Sequence, residues 1–151
     1  MQTIDHAIAQ AEQRCQSNGA RLTEKRKQVL SLLLKSGKAL SAYELVNAYK
    51  DERGETLSAM SMYRFLEFLE EQHLVHRLDL ANKFVACEHI ECVDHHTNSQ
   101  FLICSECQKV KEVTISETAM QELRNNVMQA GFSLRAKQLE MDCICNECAS
   151  N

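Results

Sequence analysis

The chain has 151 residues, eight of them Cys, and its 17 Lys and Arg against 21 Asp and Glu give a formal net charge of −4. This length allows one ordinary domain or two small ones. It has no stretch near the roughly 18 apolar residues of a membrane span and no apolar run after a basic N-terminus, so we expect a cytoplasmic protein without a membrane partner. Disulfides are disfavoured in the cytosol, and clustered cysteines there indicate metal ligands or redox thiols.

The charge is divided unevenly between the two halves. Residues 1–80 carry 11 Lys and Arg against 11 Asp and Glu, whereas residues 81–151 carry 6 against 10. A mildly acidic total argues by itself against a nucleic-acid binder, because such proteins usually have a basic surface. The acidic excess lies entirely in the second half, which indicates two different modules.

The first half predicts four helices, over residues 4–16, 23–37 and 41–51 and from Ser58 or Ser61 onward. Thr23 is a plausible N-cap of the second helix, and Gly37 is placed to end it. Ser41 begins a capping-box pattern for the third. In the fourth helix, an apolar stripe at helical spacing leaves Ser61, Tyr63 and Arg64 outside it.

After these helices, apolar residues recur at every second position, which is the spacing of a β-strand. The segment "HLVHRLDL" (73–80) alternates, with Leu74, His76, Leu78 and Leu80 on one side, and after a turn at "ANK" the segment "FVAC" (84–87) returns as a second strand. The last three of the predicted helices, followed by this hairpin, form the pattern of a winged helix-turn-helix. In that fold the last helix enters the DNA major groove. A small helical domain with no nucleic-acid role fits the same pattern.

The second half predicts a small α+β module. Residues 88–100 are polar and rich in His, Cys and carboxylates, which indicates a linker. Beyond it we expect a hairpin of "QFLIC" (100–104) and "VKEVTI" (110–115), a helix over 116–130 and a third strand, "FSLRAKQLEM" (132–141). The predicted organisation is therefore a DNA-binding domain over 1–82, a hinge over 83–96 and a dimerisation domain over 97–151.

Two CxxC pairs carry the strongest chemical signal. They are Cys104 with Cys107 and Cys145 with Cys148. Each pair can supply two corners of a tetrahedral zinc site, and a site closed by four thiolates is structural. Two redox-active pairs are the alternative, but neither CxxC opens a helix after a strand, as a thioredoxin-like motif would.

A second group of possible metal ligands surrounds the linker. Its members are His76, Cys87, His89, Cys92, Asp94, His95, His96 and Glu112. Taken singly, each fits a surface or packing position. Together they offer sulfur, imidazole and carboxylate ligands, a mixture that suits zinc better than iron or manganese.

Several segments resemble the ferric uptake regulator family, and within it the zinc uptake regulator branch. They are "RLTEKR" (21–26), "MYRFLEFLEEQHLVHR" (62–77), "FVAC" (84–87), "HTNSQFLICSECQKVKE" (96–112) and "GFSLRAKQLEMDCICNEC" (131–148). The resemblance implies an N-terminal winged helix and a C-terminal dimerisation domain with a structural zinc. It also implies a repressor that binds operator DNA as a zinc-loaded homodimer and controls zinc uptake genes.

The resemblance also implies roles for individual residues. Cys104, Cys107, Cys145 and Cys148 take the structural zinc, and His76, Cys87, His96 and Glu112 take a regulatory zinc, which makes two Zn²⁺ per protomer. His95 could replace His96, and His89 is a further candidate. Tyr63 and Arg64 fall on DNA-contacting positions, while Cys15, Cys92 and Cys143 have no assigned role.

No catalytic constellation or phosphate-binding loop is evident, so we expect neither an enzyme nor a small-molecule substrate. Arg21, Lys25, Arg26 and Lys27 form a basic group that we expect to contact DNA phosphates. Two other functions fit the same residues. One is a peroxide or thiol sensor of the same fold, and the other is a zinc-stabilised protein-interaction module without DNA binding.

Overall fold

Helices and one hairpin form the first of two units in the computed structural model, which describes residues 3–88, 90, 99–135 and 138–150. The first unit is Met1–Val93 and the second is Asp94–Asn151. The elements of the first unit are α1 (Ile4–Ser17), α2 (Glu24–Ser36), α3 (Ala42–Arg53), α4 (Ala59–Glu71), β1 (Val75–Leu78) and β2 (Lys83–Ala86). The predicted helices are therefore present, with ends that differ by one or two residues from the sequence pattern.

Local capping explains where these helices begin and end. At α3, Ser41 accepts a hydrogen bond from the Glu44 N–H at 3.1 Å, and Glu44 accepts one from the Ser41 N–H at 3.2 Å, which completes the predicted capping box. At α4, Ser58 is the N-cap and accepts from the Ser61 N–H at 3.1 Å, so the helix begins at the earlier of the two predicted serines. Gly37 ends α2 with a φ of 62°, a conformation that glycine adopts without strain.

The wing is an antiparallel pair of β1 and β2, with His76 opposite Val85. The segment between α2 and α3 joins it through one bridge, because Leu40 and Phe84 exchange two backbone hydrogen bonds of 2.9 and 2.8 Å. Leu80 was predicted to lie on the same side of the first strand as Leu78, and this is wrong: β1 ends at Leu78, and Leu80 lies in the turn with 72% of its surface exposed.

One core holds the helices and the wing of the first unit together. Val29, Leu45, Met62, Leu66 and Val75 are almost completely buried in it. Because Met62 and Leu66 are four residues apart, one face of α4 packs inward and the opposite face remains exposed. β2 belongs to the same packed unit, although its residues 83–86 fall in the range that the sequence assigned to the hinge.

The second unit is a three-stranded sheet with a long helix. Its elements are β3 (Ser99–Cys104), β4 (Val110–Thr114), α5 (Glu117–Gln129), β5 (Glu140–Cys143) and the short α6 (Asn146–Ala149). The strand order is β4-β3-β5, with β3 antiparallel to β4 and parallel to β5. These elements and the winged helix confirm the predicted α+β class.

The third strand of this sheet is shorter and later than predicted. The sequence pattern placed a strand over 132–141, but residues 132–135 are not in a strand and β5 begins at Glu140. The physical reason is topological. Because β5 lies parallel to β3, the chain after α5 must return to the start of β3 before it can pair, and a parallel neighbour always needs such a crossover.

A buried amide joins β3 to its neighbours in the second unit. Gln100 is almost completely buried, its side-chain oxygen accepts a hydrogen bond from the Leu139 N–H, and its Nε2 lies 3.7 Å from the Met120 sulfur on α5. A buried amide is stable only when its polar atoms are satisfied. Gln100 therefore fixes where the chain returns from α5 to the sheet, a role that the sequence pattern did not indicate.

Within the described residues, none of the helices is both long and apolar enough to cross a lipid bilayer.

Candidate metal centre and nucleic-acid interface

The two CxxC pairs lie at adjacent ends of two neighbouring strands. Cys104 is the last residue of β3, and Cys107 follows in the turn that leads to β4. Cys145 is the N-cap of α6, directly after β5, and Cys148 lies inside that helix. The parallel pairing of β3 with β5 thus brings together cysteines that are 38 or more positions apart in sequence.

The four cysteines form one compact sulfur cluster, with all four Sγ atoms within 4.8 Å of one another. The sulfurs of Cys107 and Cys145 are 3.8 Å apart. A tetrahedron with zinc–sulfur bonds of about 2.3 Å has edges of about 3.8 Å, so this separation fits two corners of a zinc site. Four thiolates leave no position for a substrate or water, which is the coordination of a structural metal.

Hydrogen bonds within the cluster shift the pKa values of two of its thiols in opposite directions. The backbone N–H groups of Cys107 and Cys145 donate to the Cys104 sulfur and lower the pKa of that thiol to about 6. A hydrogen bond with Cys145 raises the pKa of Cys148 to about 12. Since a thiol must lose its proton to bind a metal, Cys104 is prepared as a thiolate near neutral pH and Cys148 is not.

These pKa shifts predict the pH dependence of zinc binding. Above about pH 6 Cys104 is already deprotonated, but zinc must still displace the Cys148 proton, so the zinc affinity should rise at least about tenfold per pH unit from about pH 6 to about pH 8. Below about pH 6 protonation of Cys104 should make the dependence steeper. Competition titration against a chelator of known pH dependence measures this slope, and an affinity that stays constant with pH would contradict it.

Two of the predicted regulatory ligands meet in the first unit. His76 is in β1 and Cys87 follows β2 directly, and their ligand atoms lie within 4.8 Å of each other. The hairpin explains this proximity, because His76 pairs with Val85, and Cys87, two residues beyond Val85, lies on the same face of the hairpin as its diagonal neighbour. Cys87 is buried and its N–H donates to the Leu74 carbonyl at 2.9 Å.

Glu112 lies in β4 of the second unit, opposite Phe101 of β3, and is only 5% exposed. Burial of a carboxylate is costly unless a hydrogen bond, an ion pair or a metal compensates its charge. The remaining predicted ligand, His96, lies outside the described residues, as do its alternatives His95 and His89 and the unassigned Cys92.

An arginine that sequence analysis did not single out holds the chain segment after Cys87. Arg14 of α1 donates one guanidinium hydrogen bond to the Ile90 carbonyl and another, of 3.1 Å, to the His73 carbonyl just before β1. Ile90 is buried in the core of the first unit. Arg14 therefore fixes the backbone three residues beyond Cys87, and a lone Arg on an amphipathic helix carries no sequence signal of such a role.

Helix α4 presents one exposed face of mixed chemistry. Arg64 is exposed, and no other described residue forms a hydrogen bond or an ion pair with its guanidinium. Met60, one helical turn earlier, is 67% exposed. Tyr63 is partly buried instead, and its ring meets Phe84 of the wing edge-to-face with the centroids 6.4 Å apart. Arg64 is thus free to contact a partner, while Tyr63 also joins α4 to the wing.

Three of the four basic side chains predicted to contact phosphates have partners within the first unit. They are Lys25, Arg26 and Lys27. Carboxylates of Glu55 and Glu12 lie 2.9 and 2.5 Å from the two lysine ammonium groups. The Arg26 guanidinium lies 3.7 Å from the centroid of the Phe68 ring on α4. Exposed ion pairs of this kind are weak, so phosphates can replace the carboxylates at small cost.

Comparison with known proteins identifies close relatives over almost the whole chain. The Zinc uptake regulation protein of Escherichia coli (strain K12) is 33% identical over 146 residues, which cover 97% of this chain and 83% of that protein. Among solved structures, a zinc uptake regulator complexed with zinc and DNA is 30% identical with a TM-score of 0.81, and the match covers 99% of this chain and 97% of that one. The crystal structure of holo XcZur is 33% identical with a TM-score of 0.77, over 99% and 100% of the two chains.

The family assignment rests on a sequence profile as well as on these relatives. The profile of the Ferric uptake regulator family matches residues 17–142, which include all of α2, α3 and α4, the wing, and the sheet of the second unit except its last residue, Cys143. The predicted resemblance is confirmed, and this chain belongs to the ferric uptake regulator family.

Proposed function

We propose that this chain is a zinc-responsive transcriptional repressor that binds operator DNA as a zinc-loaded homodimer and controls zinc uptake genes. One observation carries the proposal: a four-cysteine cluster with zinc spacing occurs together with a winged helix whose helix α4 exposes Arg64, which has no hydrogen-bond or ion-pair partner among the described residues. The E. coli relative is named for zinc uptake regulation, and one solved relative is a zinc uptake regulator complexed with zinc and DNA. A regulator of this kind acts on DNA in the cytoplasm and needs neither catalysis nor a small-molecule substrate.

Two zinc ions per protomer are part of this proposal. Cys104, Cys107, Cys145 and Cys148 hold the structural ion. His76, Cys87, His96 and Glu112 hold the regulatory ion. Support for the first comes from the sulfur geometry. Support for the second comes from the family resemblance, from the proximity of His76 to Cys87, and from the burial of Glu112.

The homodimer is assigned to the second unit. Helix α5 buries only Met120 of its own residues in the described chain, and Met128 and Phe132 at its far end are exposed. Large exposed apolar side chains in one region are typical of interfaces between proteins. A second copy of this chain covers these exposed apolar side chains. It also supplies the second winged helix that a symmetric operator requires.

The direct test is DNA binding at buffered free zinc. Promoter fragments from zinc uptake genes are titrated with the full-length protein while free zinc is varied, and bound metal is counted by native mass spectrometry. Binding that appears only as zinc rises supports the repressor. DNA binding that does not depend on free zinc but is lost on addition of peroxide indicates the peroxide or thiol sensor. Zinc-loaded protein that does not bind these fragments at any zinc concentration indicates a protein-interaction module.

Arg64→Ala provides a residue-level test of DNA recognition. Loss of a bidentate Arg–guanine contact should weaken operator binding by about 1–3 kcal/mol and reduce the preference for the operator over unrelated DNA. Lys25→Ala is the matched control. If its ammonium contacts a phosphate, this variant should lower the salt dependence by about one unit while the sequence preference remains. If Arg64→Ala binds the operator as tightly as the wild type, α4 does not recognise bases through this residue.

A further inference from the structure

The charge of helix α4 changes along its exposed side. Arg64 is exposed near the start of the helix, whereas Glu67, Glu70 and Glu71 are exposed in its last two turns. Carboxylates repel DNA phosphates, and the N-terminus of a helix carries the positive end of its dipole. A DNA duplex therefore approaches the first two turns of α4, and the side chains that protrude there are the ones that reach base edges.

Most polar side chains of these first two turns are engaged within the protein. Ser58 is the N-cap, and its hydroxyl donates to the Ser61 hydroxyl at 3.0 Å and accepts from the Ser61 N–H at 3.1 Å. The Tyr63 ring packs on the wing. Within the described chain, the residues of these turns that remain exposed are Arg64 and Met60, whose surface is 67% exposed.

Met60 and Arg64 lie on the same face of α4, one turn apart. Residues four positions apart are neighbours on a helix surface, and a rise of about 1.5 Å per residue separates them by about 6 Å along the axis. Base pairs are spaced by about 3.4 Å, so a helix whose Arg64 contacts one base pair places Met60 about one or two base pairs away. The two side chains therefore face neighbouring positions of the same half-site.

The chemistry of methionine restricts what it can recognise. Its side chain has no hydrogen-bond donor and only a weak sulfur acceptor, so it does not distinguish the polar groups of base edges. The apolar group in the major groove is the C5-methyl group of thymine. We propose that Met60 packs against the C5-methyl group of a thymine beside the guanine that Arg64 contacts, and thereby selects thymine at that position of the operator. This inference rests on the proposed repressor function.

The test uses the zinc-loaded full-length protein and the promoter fragment that it binds most tightly, with deoxyuridine in place of one thymine at a time. Deoxyuridine keeps the base pair and removes only the C5-methyl group. At one position of each half-site, this replacement should weaken wild-type binding about fourfold, the effect of one buried methyl group. Met60→Ala should bind the unmodified fragment more weakly and show no further loss at that position. Lys25→Ala, the phosphate-contact variant, should lose the same factor as the wild type.

Two results would overturn the role of Met60. One is wild-type binding that tolerates deoxyuridine at every position, and the other is a Met60→Ala protein that loses the same factor as the wild type. Because Met60 is exposed, this variant should keep its zinc content and its melting temperature, and both are measured as controls. Wild-type protein that binds none of the fragments at saturating zinc refutes the proposed function and this inference with it, whereas the two results above refute only the role of Met60.

Discussion

Replacement of Cys145 by Ser should remove the structural zinc and leave the second unit unfolded or the chain monomeric. Structural zinc binding contributes roughly 10–16 kcal/mol in small zinc-finger peptides, far more than a small module can lose. Cys145 has two roles in the cluster, because its sulfur is a ligand of the proposed structural zinc and its N–H donates to the Cys104 sulfur at 3.4 Å. Serine keeps the backbone N–H but removes the thiolate, so the expected loss of stability comes from the missing zinc–sulfur bond.

Thermal unfolding, sedimentation and zinc counting measure this result. Cys143→Ser is the matched control, since it changes a thiol two residues away that is outside the cluster, and it should retain zinc, dimer and melting temperature under reducing conditions. A Cys145→Ser protein that stays dimeric with unchanged melting would contradict the structural zinc. If both variants lose zinc equally, Cys143 would have to be counted among the ligands.

Cys87→Ala should abolish the zinc dependence of DNA binding while the four-cysteine zinc remains. In the proposed regulatory site, ligands from both units share one ion, so zinc restricts the relative motion of the DNA-binding and dimerisation units. A dimer must place two recognition helices on half-sites separated by whole helical turns. Free motion of the units lowers the fraction of dimers that can bind both half-sites. Zinc raises this fraction because it binds the DNA-binding state more tightly than the other states.

The expected coupling is about 1–3 kcal/mol, and it must be reciprocal. Operator DNA should therefore tighten zinc binding in the wild type by the same factor by which zinc tightens DNA binding. In Cys87→Ala both effects should vanish, and native mass spectrometry should find one zinc per protomer instead of two. Cys15→Ala, which removes another buried thiol of the first unit, should keep both effects. A Cys87→Ala protein that still responds normally to zinc would exclude Cys87 as a regulatory ligand.

Several features of this chain could be predicted because their signals are local. The Ser41 capping box, Gly37 at the end of α2 and the apolar stripe of α4 each depend on residues within one or two helical turns. Cysteine spacing is local in the same sense, since each CxxC pair forms within one turn of the chain. The one large error in the elements, the strand predicted from residue 132, arose where the local alternation continued but the chain had to cross back to β3.

The sequence by itself determined the winged helix, the small α+β unit and which four cysteines cluster, because periodicity, caps and spacing encode them over short distances. Only the tertiary structure decided which strand lies beside β3, and with it that Cys143 stands opposite Cys104 and that Gln100 reaches Leu139. It also decided that Tyr63, which the sequence placed outside the apolar stripe together with Arg64, packs on Phe84 of the wing. The reason is that strand partners and burial follow from the packing of the whole unit, and residues close in space there are about 40 positions apart in the chain.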